Sequence, residues 1–423
     1  MERSDLTRFF KEVAAAHETI LEVMEPTPLQ QNKYLSERFN AEIWLKREDL
    51  SPVRSYKLRG AYIFLMEDLR QHPERETFVC ASAGNHAQGF AFACKHFRKR
   101  GVIFMPVTTP QQKIMKTRSF GDPYVEIRLE GDRFDDANMA AYEFCRSEGG
   151  VMVPPFNDPK TIKGQATVGK EIAEQFPGAS GPDLMILPVG GGGLSAGITR
   201  YFEDAGYTTR FLFAEPDRAA SLSESLKAGK RIRLKEMEGF VDGAAVAQLG
   251  KHTFSQLKQF SADQVIRIPT GGLCGTILDL LNVEGIVLEP AGALAIDALI
   301  RLPAKQISGK KIVCVASGGN FDFERLPEVK ERALKFSGLK KYFIVQFPQR
   351  PGALKDFLFL LGPEDDIVRF EYLKKSSRSF GSVLLGIETT DPKNFDALVK
   401  KLDASGVGWQ DITENETIGD LVL

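Results

Sequence analysis

The chain has 423 residues, of which 43% are hydrophobic and 26% charged, with 55 Lys and Arg against 56 Asp and Glu. That length is more than one core fills and predicts two or three domains, while the near-neutral balance supplies no broad field for nucleic acid or an anionic membrane. No run reaches the ~18 apolar residues of a membrane span, and five scattered cysteines without a C-x-x-C pair predict free thiols in a reducing, cytoplasmic setting.

The opening segment, "MERSDLTRFFKEV", is amphipathic and carries acids, which argues against a signal or transit peptide. In "VRSYKLRGAY" (53–62) the chain enters a helix at Lys57, between Tyr56 and Arg59. Taken alone, a lysine there reads as a solvated surface charge. "TFVCA" (77–81), "GVIFMPV" (101–107), "DLMILPV" (183–189), "RFLFAE" (210–215) and "KIVCVAS" (311–317) are short apolar runs that predict buried parallel strands. Helix-period segments at 86–98, 111–119, 133–147 and 194–205 lie between them. Together they predict an α/β unit over 1–325 with parallel sheets, including a small subdomain at about 60–160. The charged helical segment 326–338 reads as a connector. From 339 to 423 the order is strand, helix, strand, strand, helix, strand, an α+β ferredoxin-like arrangement.

Three polar turns follow strands. In "LPVGGGGLSAG" (187–197) four glycines, Gly190 to Gly193, open into a helix. Backbone without Cβ atoms lets a phosphate approach, and the helix N-terminus supplies free N–H groups. A merely tight turn rarely needs four glycines. Gly191, Gly193 and Ala196 also satisfy G-x-G-x-x-A, with Glu215 ending the next strand. That imitates a dinucleotide fingerprint and keeps a nicotinamide or flavin enzyme open. "ASAGNHAQG" (81–89) is the second turn, where Ser82 and free amides could hold a carboxylate. Capping and turn chemistry alone would explain Ser82 and Asn85, and His86 alone reads as structural. With five histidines and no H-x-x-x-H pair, no zinc site is expected. "ASGGN" (316–320) is the third turn. Open α/β sheets bind ligands beyond the carboxyl ends of their strands, so the three turns could share one crevice. A lysine, an anion cradle and a carboxylate-binding turn suggest pyridoxal 5'-phosphate (PLP), whose aldehyde needs an amine and whose phosphate needs a cradle.

"SYKLRGA", "SAGNHAQG", "GGGGL", "EPAGA" and "SGGN", in that order, resemble the fold-type II (tryptophan synthase β-like) PLP enzymes of the serine/threonine dehydratase group. Within it, the chain is most similar to the shorter biosynthetic threonine deaminases with one ACT-like regulatory module. The resemblance implies dehydration and deamination of L-threonine to 2-oxobutanoate and ammonia. It makes Lys57 the Schiff-base lysine and the base that takes the α-proton. Tyr56 stands where the family usually has a phenylalanine on the pyridine ring, so its hydroxyl needs a partner. Asn85 would bond the ring 3'-oxygen, and Gly190, Gly191, Gly192, Gly193 and Leu194 the phosphate. Ser82, Ala83, Gly84 and His86 would hold the substrate carboxylate, with Gly243 and Glu289 lining the pocket. Ser317 would sit beside the pyridine nitrogen. A neutral serine there does not force protonation of that nitrogen, which suits β-elimination better than transamination.

"EPDRAAS" resembles a cation-binding segment of related dehydratases and racemases, implying Glu215, Ala219 and Ser221 as ligands. Serine where divalent-binding racemases carry aspartate favours a monovalent ion such as K+; the plain alternative is a solvated glutamate at a strand end. "PQRPGAL" (348–354) resembles the strand-to-helix turn of ACT-type sensors, implying an effector site at Arg350, Pro351 and Gly352 for isoleucine, opposed by valine. Pro351 suits the first helical position, and a plain turn would also account for these residues. A homo-tetramer or dimer is expected. A degradative serine/threonine dehydratase or a serine racemase shares the chemistry, but such relatives commonly lack the C-terminal unit. A nicotinamide enzyme gives Lys57 and "SAGNHAQG" no task. A non-catalytic amino-acid-binding protein would bind its ligand without releasing ammonia.

Overall fold

The structure, a computed structural model, describes residues 8–372 and 379–415. The chain divides into two units, Met1–Pro269 with Asp279–Phe321, and Thr270–Leu278 with Asp322–Leu423.

The first unit holds two sheets. The larger has six strands in the order Leu29–Gln31, Glu42–Arg47, Lys311–Ala316, Leu184–Pro188, Arg210–Pro216 and Val265–Ile268. All neighbours run parallel except the edge strand Leu29–Gln31. The smaller sheet is wholly parallel, in the order Val125–Leu129, Arg100–Met105, Thr77–Ala81 and Val151–Met152. The central strand Leu184–Pro188 is buried along its whole length, as expected of a strand covered by helices on both faces. The core of the larger sheet gathers Met185, Leu187, Phe213, Val313 and Val315 with Val168 and Ile198 from helices Pro159–Gln175 and Gly193–Asp204. The core of the smaller joins Phe78, Cys80 and Ile103 to Leu58, Ile63 and Phe90. The five apolar runs read as strands all form strands, with ends shifted by one or two residues.

The second unit carries a four-stranded antiparallel sheet in the order Asp366–Tyr372, Phe380–Glu388, Lys340–Pro348 and Trp409–Asp411. Helices Ala353–Leu358 and Lys393–Ser405 complete the expected strand and helix order. Alternate residues Phe343, Val345 and Phe347 meet Val383, Leu385, Phe395 and Leu398 in its core. The polar turn expected between the two middle strands, 373–378, lies outside the described residues, as do 1–7 and 416–423. The segment read as a connector forms helix Leu326–Phe336, tied to its own unit where Lys340 Nζ donates to Glu331 at 2.6 Å.

Candidate active site

Lys57 is the first residue of helix Lys57–Gln71. The loop before it is fixed twice. Ser51 Oγ accepts from Ser55 N at 2.8 Å and donates to Ser55 O at 2.9 Å. Tyr56 N donates to Ser317 O at 3.3 Å and Gly319 N to Arg54 O at 2.9 Å, lashing the lysine loop to the end of strand Lys311–Ala316. Thus "SYKLRG" and "ASGGN", remote in sequence, share one strand end. Lys57 Nζ donates to Pro155 O at 3.0 Å and lies 5.2 Å from the Tyr56 ring centroid. Burial pushes the amine down to about 8, against the opposing pull of Glu289. A group with that value holds a usable neutral fraction near pH 7–8, as a nucleophile or base requires. The Tyr56 ring packs on the core, burial pushes its hydroxyl well above the usual phenol range, and the hydroxyl has no hydrogen-bond partner among the described residues.

Arg59, two residues on, is fully buried. It forks onto two carboxylates: Nε and Nη2 donate to Glu48 at 2.9 Å each, and Nη1 and Nη2 to Glu171 at 2.6 and 2.8 Å. Lys46 Nζ reaches Glu171 at 2.6 Å, so two buried cations face two buried acids. This cluster joins the first turn of the lysine helix to strand Glu42–Arg47 and helix Pro159–Gln175. Sequence reasoning missed it, because a buried arginine next to a helix start reads as a surface charge.

The second turn leaves strand Thr77–Ala81 and enters helix Asn85–Phe97. This helix crosses the lysine helix closely. A Cβ on Gly89 would come within 2.8 Å of Leu58 N and 3.0 Å of the Lys57 carbonyl carbon, so only glycine fits. Ser82 Oγ accepts from Gly84 N at 3.2 Å, while the amides of Ala83, Asn85 and His86 have no acceptor among the described residues. Gly84 faces open space. His86 is buried with Nε2 at 2.9 Å from Val153 O. A carbonyl only accepts, so the proton sits on Nε2 and Nδ1 is a bare acceptor; it has no partner among the described residues. Burial, then the nearby Lys57 charge, push this imidazole down to about 3, so it is neutral.

Asn85 Nδ2 donates to Glu289 Oε1 at 2.6 Å, and Asn85 Oδ1 accepts from Asn320 Nδ2 at 2.6 Å. Glu289 precedes helix Pro290–Arg301, and burial raises its carboxyl to about 7, helped by Asp242 and opposed by the Asn85 bond. Ser317 Oγ donates to Ala291 O at 3.2 Å in the same helix. Gly243 is exposed; a Cβ there would lie 2.8 Å from the Ala291 methyl and 3.7 Å from Glu289 Oε1.

The glycine turn connects strand Leu184–Pro188 to helix Gly193–Asp204. Gly192 has φ +86°, a left-handed position that no other residue adopts cheaply. The Phe156 ring lies within 2.3 Å of where a Gly191 Cβ would stand. Thr253 Oγ1 donates to Gly191 O at 2.8 Å and pins the loop. The amides of Gly190, Gly191, Gly192, Gly193, Leu194 and Ser195 donate to no protein acceptor among the described residues. Gly190 is partly accessible, whereas Gly191 to Leu194 are buried. Phe156 and Thr253 had no sequence signal.

Two further groups lie apart from this cluster. Glu215 is fully buried, not a solvated strand-end glutamate. Its Oε1 accepts from Leu222 N at 2.7 Å and Oε2 from Ser223 N at 3.0 Å, capping helix Ser221–Ala228; burial still raises it to about 8. Ala219 is buried nearby in the turn Asp217–Ala219, and the buried Ser221 hydroxyl has no partner among the described residues. Among the described residues, no three His, Cys, Asp or Glu side chains are grouped to hold a metal. In the second unit, Arg350 pairs with Asp356 at 2.6 Å and donates to Pro351 O at 3.2 Å. The expectation that Pro351 opens the helix is corrected: Gly352, φ +85°, is the N-cap and the helix begins at Ala353, so the left-handed glycine lets the chain turn after the proline.

Residues 20–318 match the family of pyridoxal-phosphate dependent enzymes, and residues 331–422 match the C-terminal regulatory domain of threonine dehydratase. The chain belongs to the threonine dehydratase family of pyridoxal-phosphate-dependent enzymes. It is 44% identical to the biosynthetic L-threonine dehydratase IlvA of Bacillus subtilis, covering 98% of this chain and 97% of that one. The corresponding protein of Halalkalibacterium halodurans is 42% identical, over 98% of this chain and 99% of its own. The solved structure of the processed form of threonine deaminase isoform 2 from Solanum lycopersicum superposes with a TM-score of 0.71 at 36% identity, covering 79% of this chain and 89% of that one.

The residues present fit the family's cofactor. Six free amides in one turn, at the end of a strand and the start of a helix, form a cradle that a dianionic phosphate would satisfy. Lys57 is half-buried as a residue, and its amine has a single carbonyl acceptor among the described residues.

Proposed function

We propose that this chain removes water from L-threonine to give, after release and hydrolysis of the enamine, 2-oxobutanoate and ammonia, the first step of isoleucine biosynthesis. The observation that carries this reading is the pairing of the depressed Lys57 amine with six unpartnered amides at the glycine turn, in a chain of this family. PLP, when bound, supplies the aldehyde that captures the substrate amine and the ring that accepts charge from Cα.

The chain's own residues do the rest. Gly190 to Leu194 hold the phosphate through backbone N–H groups. Tyr56 would pack against the ring, Asn85 would supply a donor to its oxygen, and Ser317 would lie on the side of its nitrogen. The free amides of Ala83, Asn85 and His86 would hold the substrate carboxylate, as in other helix N-terminal anion sites, with Ser82 fixing the turn through the Gly84 amide. Neutral His86 adds no cation there. Glu289 and Gly243 line the wall. Lys57 Nζ, once freed, would take the Cα proton and pass it to the β-hydroxyl, which leaves as water. The enamine takes up a proton at Cβ to give the imine, and water then displaces ammonia. The matched regulatory domain favours this reading over a degradative serine/threonine dehydratase or a serine racemase.

Control by isoleucine, opposed by valine, through a site including Arg350, Pro351 and Gly352 belongs to the same proposal. So do a cytoplasmic location, a dimer or tetramer, and a K+ ion at Glu215, Ala219 and Ser221. No helix among the described residues is long and apolar enough to cross a membrane. The deciding assay measures 2-oxo acid and ammonia from threonine and serine, with and without isoleucine. Equimolar 2-oxobutanoate and ammonia from threonine are expected; amino-acid binding without ammonia, or racemised serine alone, would sink the reading.

A further inference from the structure

Lys116 lies on helix Gln111–Gly121 and has no task in the chemistry above. Its side chain is half-buried, and Nζ donates to the Asn320 side-chain carbonyl. An ammonium has three donors and no acceptor, so the Asn320 atom facing it must be Oδ1. Asn320 Nδ2 then points away, donating to Val53 O at 2.9 Å and to Asn85 Oδ1 at 2.6 Å, which uses both its protons. The Val53 carbonyl, an acceptor only, demands the same orientation from the other side. Asn85 is set in turn. Its Oδ1 faces a donor, and its Nδ2 faces Glu289 Oε1 at 2.6 Å with a second proton uncommitted.

Reversing the Asn85 amide would set donor against donor at Asn320 and acceptor against carboxylate at Glu289. The Glu289 side of this lock weakens when that carboxyl takes a proton, because a neutral acid can donate to an amide oxygen. The lysine and Asn320 impose the orientation whatever the state of Glu289. The charged residues around Glu289 include Asp242, Lys57, Lys113 and Lys116, and Lys113 is itself held by Asp242 at 2.6 Å.

Resting on the reading of Asn85 as a residue that faces the cofactor ring, we propose that Lys116 and Asn320 are positioning residues which fix the Asn85 amide and so present its Nδ2 donor. They touch neither substrate nor cofactor and act through one side-chain amide after another.

The test uses full-length apoenzyme and PLP, without substrate. The PLP dissociation constant and the pH titration of the cofactor's visible band are measured, beside a thermal melt of each apo form. Asn85→Ala should weaken PLP about five- to tenfold, the worth of one hydrogen bond to a polarised oxygen. Asn320→Asp keeps a partner for Lys116 but offers Asn85 an acceptor, reversing its amide, and should cost nearly as much. Lys116→Met should weaken PLP by about threefold and displace the band titration. Lys116→Gln, which can still donate to Asn320, should restore both. If Asn320→Asp fails to fold, the Met and Gln pair carries the test. The proposal is overturned if Asn85→Ala weakens PLP while Asn320→Asp and Lys116→Met leave affinity and titration at the wild-type values. It is also overturned if Lys116→Gln behaves as Lys116→Met. An unchanged affinity in Asn85→Ala removes the reading of Asn85 itself, and the proposal with it.

Discussion

Two of the places where the first unit buries ionisable groups are built on opposite terms. Around Arg59 two cations meet two carboxylates, each with several short bonds, and the Arg59 guanidinium beside it holds Glu171 well below the usual carboxylate range despite burial. Around Glu289 a buried carboxylate faces an amide rather than a cation, and its affinity for a proton rises to about 7. Lys57, a few residues from Arg59 in the chain, belongs to the second kind: its amine is buried against a carbonyl and falls to about 8. In the matched cluster the cation beside Glu171 keeps that carboxylate ionised over the physiological range. An unmatched group is poised to change state, as acid–base work requires.

The largest test of that contrast is Lys57→Ala. It should lower threonine dehydration by about a thousandfold or more and abolish the cofactor's visible band, while the apo melt stays at the wild-type value or rises, since a poorly solvated amine is lost. A retained band, or borohydride labelling at another lysine, would remove Lys57 from the chemistry. Arg59→Met should do the reverse in kind. It strips the buried Glu48 of its cation, leaves Glu171 with Lys46 alone, and should cost about 3–5 kcal/mol of stability, read by denaturant unfolding. A stability loss below about 1 kcal/mol would show that water enters to solvate Glu48 and Glu171.

Next comes Glu289→Gln, which keeps an acceptor for Asn85 and removes the titration. The folded carboxyl, at about 7, binds its proton more tightly than the ordinary value of 4.5. The native state therefore holds more protons than the unfolded state in that window, and wild-type stability should fall as pH rises from about 4.5 through about 7. The penalty is complete above the folded value and absent below the unfolded one. Glu289→Gln should flatten this fall by about 1–3 kcal/mol, seen as wild-type and variant unfolding curves that converge at low pH. Parallel curves would place Glu289 in the matched class.

Much of this was legible in the residues. The apolar runs gave five of the ten strands of the two sheets, all of them interior, because a fully buried strand shows as a continuous apolar run, and the four glycines of 190–193 mark a turn that places Gly192 at φ +86°. The C-terminal order of strands and helices was equally plain. Arg59 and Lys116 were not legible, because whether a cation is buried depends on what packs over it from distant segments: Glu48 and Glu171 for the one, Asn320 for the other. The Pro351 turn was misplaced for a local reason, since proline before a left-handed glycine and proline at the first helical position look alike in sequence. Glu215 shows the same blind spot. A strand-end glutamate can be solvated, ligating or capping, and only the amides of Leu222 and Ser223 distinguish the last.

The smallest predicted effect tests whether the matched cluster is over-determined. Thr167 Oγ1 accepts from Arg59 Nη1 at 3.1 Å and donates to Gly164 O at 2.7 Å. Thr167→Val preserves shape and removes both bonds. Arg59 Nη1 still has Glu171 Oε1 at 2.6 Å, so no charge is stranded. The expected cost is about 1 kcal/mol, that of one ordinary buried hydrogen bond with partial compensation, with PLP affinity and kcat unchanged. A much larger loss would mean that the threonine, rather than the paired carboxylates, orients the guanidinium. The corresponding change on the other side, Asn85→Ala, has no such reserve: Glu289 Oε1 loses its side-chain donor, and its titration should move further up. Redundant bonding makes the first region tolerant of a single loss, and its absence makes the second responsive to one.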